Sequence, residues 1–334
     1  MSTDINCFDY NLPKERISQN PAEKRENARL LVINKGRIEH KHFYDIIDYL
    51  SPGDVLVLNE TKVKPCKIEG RKSSGGKVEV VIEEKIREIC FRCRAKGKVK
   101  KGDLLLFGNG LKGEIVNRYG DFSDILFNKE VKGMKVAYPY YVKNKKIDPS
   151  YYQTVYSSKE GSLAAPTAGL HFSKELLAKI RKKKVKIVKI CLHIGFGTFA
   201  MIHDIEKHKC AKEHMEITKK SADAINNRKG RLFCVGTTTV KALETAAVGD
   251  KVGSFIGESE LFIKPGYKFK LKIDGMITNF HMPKSSLLLL VAAFYQKERL
   301  LEAYKTAVDK EYKFLSFGDA MMIVKTLEKD KIKS

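Results

Sequence analysis

Between residues 61 and 140 the sequence never sustains a helix. The runs VEVVIEE, ICFRCRAK, DLLLFGNG, GEIVNR and SDILF alternate apolar and polar residues, fall about ten residues apart and are parted by turns, several of them containing Gly. A period of two with frequent turns builds antiparallel strands, and such strands close into a barrel or stack as a sandwich. On either side the texture differs. Leu30–Ile33 reads as an apolar strand, YDIIDYL (44–50) as a helix, and SPGDVLVLNETKV as a turn and strand. After residue 150, helical stretches (173–183, 222–229, 239–247, 294–310) alternate with the strands 185–195, 231–238 and 276–280. That alternation is α/β. The expected architecture is an α/β domain built from both ends of the chain, residues 1–60 plus 150–334, with residues 61–149 inserted as an antiparallel β-barrel domain.

The chain has 334 residues and a formal net charge of +23. From Lys62 to Lys101 there are 14 Lys/Arg against 5 Glu, and IRKKKVKIVK (180–189) is a second basic cluster. Clustered charge fits a polyanion such as nucleic acid; it also fits a solvated lysine-rich surface. No aromatic recognition signature of an RNA-binding module accompanies it. The longest apolar run, Leu287 to Phe294, is far short of the roughly 20 residues of a membrane span, and the start has no signal-peptide core. A soluble, cytoplasmic, monomeric protein is expected. Seven cysteines are scattered, with a single CxxC at Cys90 and Cys93; zinc wants four ligands, so no metal is expected.

Chemistry-bearing residues gather at turns. In GSLAAPTAGLHF (161–172), His171 falls just before Ser173, a fitting N-cap for the helix that follows. The positive end of that helix favours a neutral imidazole, which can act as a base; a solvent-facing loop histidine fits the pattern too. LHIGFGTF (192–199) ends a strand in Gly-x-Gly-Thr but lacks the third Gly of a dinucleotide fingerprint. In RLFCVGTTTVKALETAA (231–247), Gly236 and Thr237–Thr239 open a helix where N–H groups and hydroxyls can hold an anion; a simple Thr-capped helix reads the same. TNFHMPKSSLLLL (278–290) sets Asn279 and His281 at the end of a strand. HDIEKHKCAKEHME (203–216) spaces three histidines by five and six, wrong for a helical metal pair. The sum is a small-molecule cleft beside a basic surface.

The ordered series FDYNLP, RLLV, LNETKV, YQTVY, GSLAAPTAGLHF, LHIGFGTF, VGTTTVKALETAA, FIKPGYKF, TNFHMPKSSLLLLVAAF and FLSFGDAM resembles the S-adenosylmethionine:tRNA ribosyltransferase-isomerase family from about residue 8 to residue 323. That resemblance implies an α/β domain carrying a β-barrel. It implies transfer and isomerisation of the ribosyl part of S-adenosylmethionine onto 7-aminomethyl-7-deazaguanine at the tRNA wobble position. The product is epoxyqueuosine in tRNA, with adenine and methionine released. S-adenosylmethionine is then a co-substrate and no prosthetic group is needed. The other partner is the anticodon loop of tRNA with a GUN anticodon. A paralogue with another acceptor, or a basic RNA-binding protein on the same scaffold, would share the series.

Carried onto this sequence, the resemblance makes His171, His193, Glu213 and His281 the acid–base candidates, His171 first for removing the 5′ proton. Thr167, Gly169, Phe172, Gly195, Gly197, Thr198, Gly236, Thr237, Thr238 and Asn279 would line the cofactor or target base. Lys62, Arg71, Arg94, Lys98 and Arg181 would hold tRNA. Three departures are visible: Ala211 where the family usually has a second His, GESELF where it has a Trp-bearing segment, and VAYPYY (136–141) where it has a Pro-rich PLPPY-type turn.

Overall fold

A computed structural model describes residues 4–144, 146–195, 197, 202 and 204–325. The chain forms two compact units, Met1–Lys62 with Pro139–Ser334, and Val63–Tyr138. Residues 139–149, counted with the insertion on sequence, group with the first unit.

The first unit is built on a nine-stranded sheet. Its order is Phe255–Ser259, Glu213–Ile217, Lys186–Leu192, Val55–Asn59, Leu232–Val235, Gly275–Asn279, Ala320–Val324, Arg29–Asn34 and Arg37–His42. The four from Lys186–Leu192 to Gly275–Asn279 run parallel. Glu213–Ile217 and Phe255–Ser259 extend one flank antiparallel. On the other, Ala320–Val324 lies antiparallel to Gly275–Asn279 and parallel to Arg29–Asn34. Parallel strands covered on both faces read as continuous apolar runs, and LFCV and VLVLN are buried at every position.

Two cores follow, one on each face. Leu31, Val57, Ile190, Cys234 and Met276 belong to one; Leu30, Leu56, Leu58, Phe233 and Ile277 belong to the other. Helix α1 (Lys174–Lys182) turns Leu176, Leu177 and Ile180 inward, and the Ser173 hydroxyl accepts from Leu176 N–H as its cap. Helix α2 spans Lys219–Asn226, α3 Thr237–Thr245, α4 Ser286–Phe294 and α5 Lys297–Asp309.

Two sequence expectations need correcting. The stretch Phe43–Tyr49 is a 3-10 helix rather than an α-helix. The helix expected over 294–310 begins only at Lys297, because Phe294 closes α4 and Tyr295 is extended. Residues 287–294 are uniformly apolar and mostly buried, whereas α5 is amphipathic, so the chain turns to give each its own environment.

The second unit is a closed barrel ordered Phe122–Phe127, Cys90–Lys96, Lys77–Arg87, Lys67–Lys72, Leu104–Phe107 and Lys112–Tyr119, all antiparallel. Val78, Val80 and Ile82 alternate into its core with Leu105, Ile115, Ile125 and Phe127. Cys90 and Cys93 are both buried, on a strand whose pairing with Lys77–Arg87 carries register shifts. Burial raises the Cys93 thiol far above its ordinary pKa, so it is an inert core residue.

Candidate functional site

Parallel strands end together, and the carboxyl edge of such a sheet is where α/β proteins collect ligands. Asn59 ends one of these strands fully buried. Its Oδ1 accepts from Leu192 N–H at 3.0 Å and Thr61 N–H at 3.2 Å, and its Nδ2 donates to Leu192 O at 2.9 Å. One side chain thus stitches two strand ends together. The next strand ends at Gly236, whose φ of 86° only glycine adopts without strain. Gly236 N–H donates to Ile277 O at 2.7 Å, and α3 starts at the following residue. No threonine side chain caps α3; Thr239 turns back to Val235 O at 2.6 Å instead.

Two neighbouring cavities lie at this edge. One, with about 390 Å³ of empty space, is lined by Tyr141, Thr167, Asn279, Phe280, His281, Met282, Ser285, Leu287, Leu315 and Ser316. The other, about 370 Å³, is lined by residues 165–168, Ile194, Gly236, Thr237, Thr238, Thr278, His281 and Leu287. Thr167, His281 and Leu287 belong to both.

Three of the four acid–base candidates are buried, and the fourth is less so. The His281 ring meets Thr278 Oγ1 at 2.8 Å through Nε2, and burial lowers its pKa to about 3. His171 lies in the 3-10 turn Thr167–His171, with Nε2 3.1 Å from Asn279 Nδ2 and its ring against Phe43. An amide nitrogen can only donate, so Nε2 accepts and the ring proton sits on Nδ1. Its pKa falls to about 4, first through burial, then through the Arg25 charge, with a hydrogen bond to the Arg25 backbone acting the other way. The neutral state expected from the helix terminus therefore stands, but desolvation is its main cause.

Glu213 is buried and paired: Lys241 Nζ of α3 sits 2.9 Å from Oε2, and Gly195 N–H donates to Oε1 at 3.3 Å. His193 is partly exposed, with Nδ1 2.7 Å from Thr61 Oγ1 and its ring stacked on His214.

The structure brings Thr167, Gly236, Thr237, Thr238, Asn279 and His281 together around the two cavities. Phe172 and Gly169 do not join them. Phe172 is core, edge-on to Phe43, and Gly169 is packed so closely that a Cβ would clash with the Tyr156 hydroxyl. Gly197 approaches Ala211, and Thr198 lies outside the described residues. Sequence reasoning passed over Asn59, Tyr141, Lys241 and Ser316. Lys241 had a signal, a charge set among apolar residues in TVKAL; the Tyr141–Ser316 hydrogen bond of 2.7 Å joins residues 175 apart and had none.

Of the cations expected to meet RNA, Arg71, Lys98 and Arg181 are exposed, and Lys62 is half-exposed beside Glu160. Arg94 is engaged instead with Glu83 and Asp121 and lies over the Phe122 ring. Among the described residues there is no cluster of three or more His, Cys, Asp and Glu fit for a metal, and no helix is long and apolar enough to cross a membrane.

A part-parallel sheet with neutral imidazoles, an amide and a glycine-opened helix at its carboxyl edge defines an α/β enzyme with a dry polar cleft. Known proteins share the whole plan. The family model described as queuosine biosynthesis protein matches residues 5–323. The chain is 44% identical over 336 residues to the S-adenosylmethionine:tRNA ribosyltransferase-isomerase of Thermotoga petrophila, covering 96% of this chain and 99% of that one. It is 46% identical over 343 residues to the Thermoanaerobacter protein of the same name, covering 95% and 98%. The crystal structure of S-adenosylmethionine tRNA ribosyltransferase from Thermotoga maritima matches with a TM-score of 0.56 at 36% identity, over 95% of this chain and 100% of that one. The chain belongs to the queuosine biosynthesis protein family.

Proposed function

We propose that this enzyme transfers and isomerises the ribosyl group of S-adenosylmethionine onto 7-aminomethyl-7-deazaguanine in the wobble position of tRNA with a GUN anticodon. The product is epoxyqueuosine-tRNA, with adenine and methionine released. Membership of the family over nearly the whole chain supports the reaction class. One observation supports the site: the two cavities at the carboxyl edge meet at His281, a buried imidazole that is uncharged at neutral pH.

The chemistry asks for such a group. A sulfonium acidifies the adjacent C5′–H of the ribose, and a base must remove that proton. A cationic imidazolium would repel the sulfonium, and a neutral one does not. Desolvation that lowers the imidazole pKa makes its conjugate acid strong, so the proton taken from C5′ can be handed to adenine as it leaves. In this reading His281 carries the proton. Thr237, Thr238 and the N-terminus of α3 hold polar parts of the cofactor. His193 and Glu213 shape the neighbouring wall, Glu213 through its hold on Gly195.

The test is direct. The protein is incubated with S-adenosylmethionine and tRNA bearing 7-aminomethyl-7-deazaguanine, and adenine and epoxyqueuosine are measured by mass spectrometry. Stoichiometric adenine and modified tRNA are expected. Methylated tRNA, or RNA binding with no turnover, refutes the reading.

A further inference from the structure

Asn279 ends the central strand Gly275–Asn279 and is 2% exposed. Its Nδ2 is fully committed, 3.0 Å from Leu315 O, 3.1 Å from His171 Nε2 and 3.5 Å from Asp319 O. Acceptors on every side of the nitrogen fix which end of the amide is which. Among the described residues its Oδ1 has no hydrogen-bond partner. Buried amide oxygens are normally satisfied, and one that is not marks a place for a donor from outside. Asn279 lines the first of the two cavities, whose walls include the apolar Phe280, Met282, Leu287 and Leu315. The hydroxyls at that end, Tyr141 and Ser316, bond to each other.

We propose that this cavity is a subsite for a flat nitrogen heterocycle presenting an N–H group, with Asn279 Oδ1 as the acceptor and His171 as a positioning residue that keeps the amide turned that way. The inference rests on the reaction proposed above, and it narrows the roles. His171 uses the lone pair of Nε2 to hold Asn279, so it acts through Asn279 and does not take a proton from the substrate. Two heterocycles of the reaction carry the required chemistry, adenine and the deazaguanine, each through its exocyclic amine.

Calorimetric binding to the full-length protein separates the possibilities. The probes are S-adenosylmethionine against its analogue lacking the 6-amino group, and 7-aminomethyl-7-deazaguanine against its analogue lacking the 2-amino group. Wild type should prefer the amine-bearing member of one pair by about tenfold or more, since a site built around a hydrogen bond rejects the ligand that cannot make it. The pair that discriminates identifies the ring. Asn279→Leu should bring that preference to about unity while binding the amine-less probe as wild type does, which also reports an intact fold. If Asn279→Leu does not fold, His171→Phe decides, because a phenyl fills the buried slot beside Phe43; its preference should fall severalfold. In turnover, His171→Phe should lower kcat/KM and leave the shape of the pH–rate profile unchanged, and a lost acidic limb would make His171 a base and overturn its assignment. No preference in wild type, or preference retained in the variants, overturns the subsite. Adenine release by wild type is scored separately, so the subsite can fall while the reaction stands, or the reverse.

Discussion

His171 and His281 share a protonation state and differ in what their Nε2 atoms meet. His171 gives its lone pair to Asn279, and His281 meets the hydroxyl of Thr278 at the junction of two cavities. Both have pKa values well below 6.5, to about 4 and about 3. In the unfolded chain each takes a proton below about 6.5, while the folded protein resists it. Stability is therefore full above pH 6.5 and drops as pH falls toward 4, with a slope of up to about 1.4 kcal/mol per pH unit for each histidine. Urea unfolding between pH 7 and 5 should show this fall, and His281→Asn should flatten it; an unchanged slope would show that the ring is already protonated in the fold. Sequence placed both histidines at turns beside the right elements, because His171 precedes a capped helix and His281 precedes a Pro turn. It could not show that Asn279 occupies one of them. That contact joins residues 108 apart, and no local pattern encodes it.

At the scale of elements, α3 carries the least expected feature. Lys241 lies one turn into a helix buried from Thr237 to Glu244 and meets Glu213 on the strand Glu213–Ile217. The pair is nearly dry, with side chains 11% and 6% exposed. Removing one member of such a pair leaves an uncompensated buried charge and costs about 3–5 kcal/mol, whereas replacing both with apolar or neutral groups is often neutral. Lys241→Met should therefore lower the midpoint of thermal unfolding sharply, and the double change Lys241→Met, Glu213→Gln should recover most of the loss. A double variant as unstable as the single one would show that the pair is worth more than its repulsions alone. The sequence made α3 legible through Gly236 and the threonines, and its amphipathic neighbours α1 and α2 through their periodicity. It started α5 three residues early, at Phe294, because the break at Tyr295 has no Gly or Pro to announce it.

For the whole molecule, the net charge of +23 bears on partners. Exposed cations that neutralise phosphates release counterions, so tRNA affinity should fall steeply with salt. Arg71→Glu with Lys98→Glu should weaken binding and lower the slope of log affinity against log salt by about one to two. Arg94→Glu should instead destabilise the barrel, since that residue already meets Glu83 and Asp121. Filter binding across a salt series checks both, and an unaltered slope would mark the barrel's charge as solvated surface. The barrel was legible from its period of two and the α/β unit from its alternation. The strand order was not, since Val55–Asn59 sits between strands from 186–192 and 232–235.

That order also sets a timetable for synthesis. Every barrel strand falls within residues 67–127, so all have left the ribosome while most of the sheet is still untranslated. The strand Arg29–Asn34 is made early, but its central neighbour, Ala320–Val324, is made some 290 residues later. Until then its inner edge has nothing of its own to pair with. Unpaired edges of this kind invite wrong partners. The nascent chain thus carries a complete barrel sequence and an apolar first strand still without its central partner, and that interval is where this protein most needs shelter.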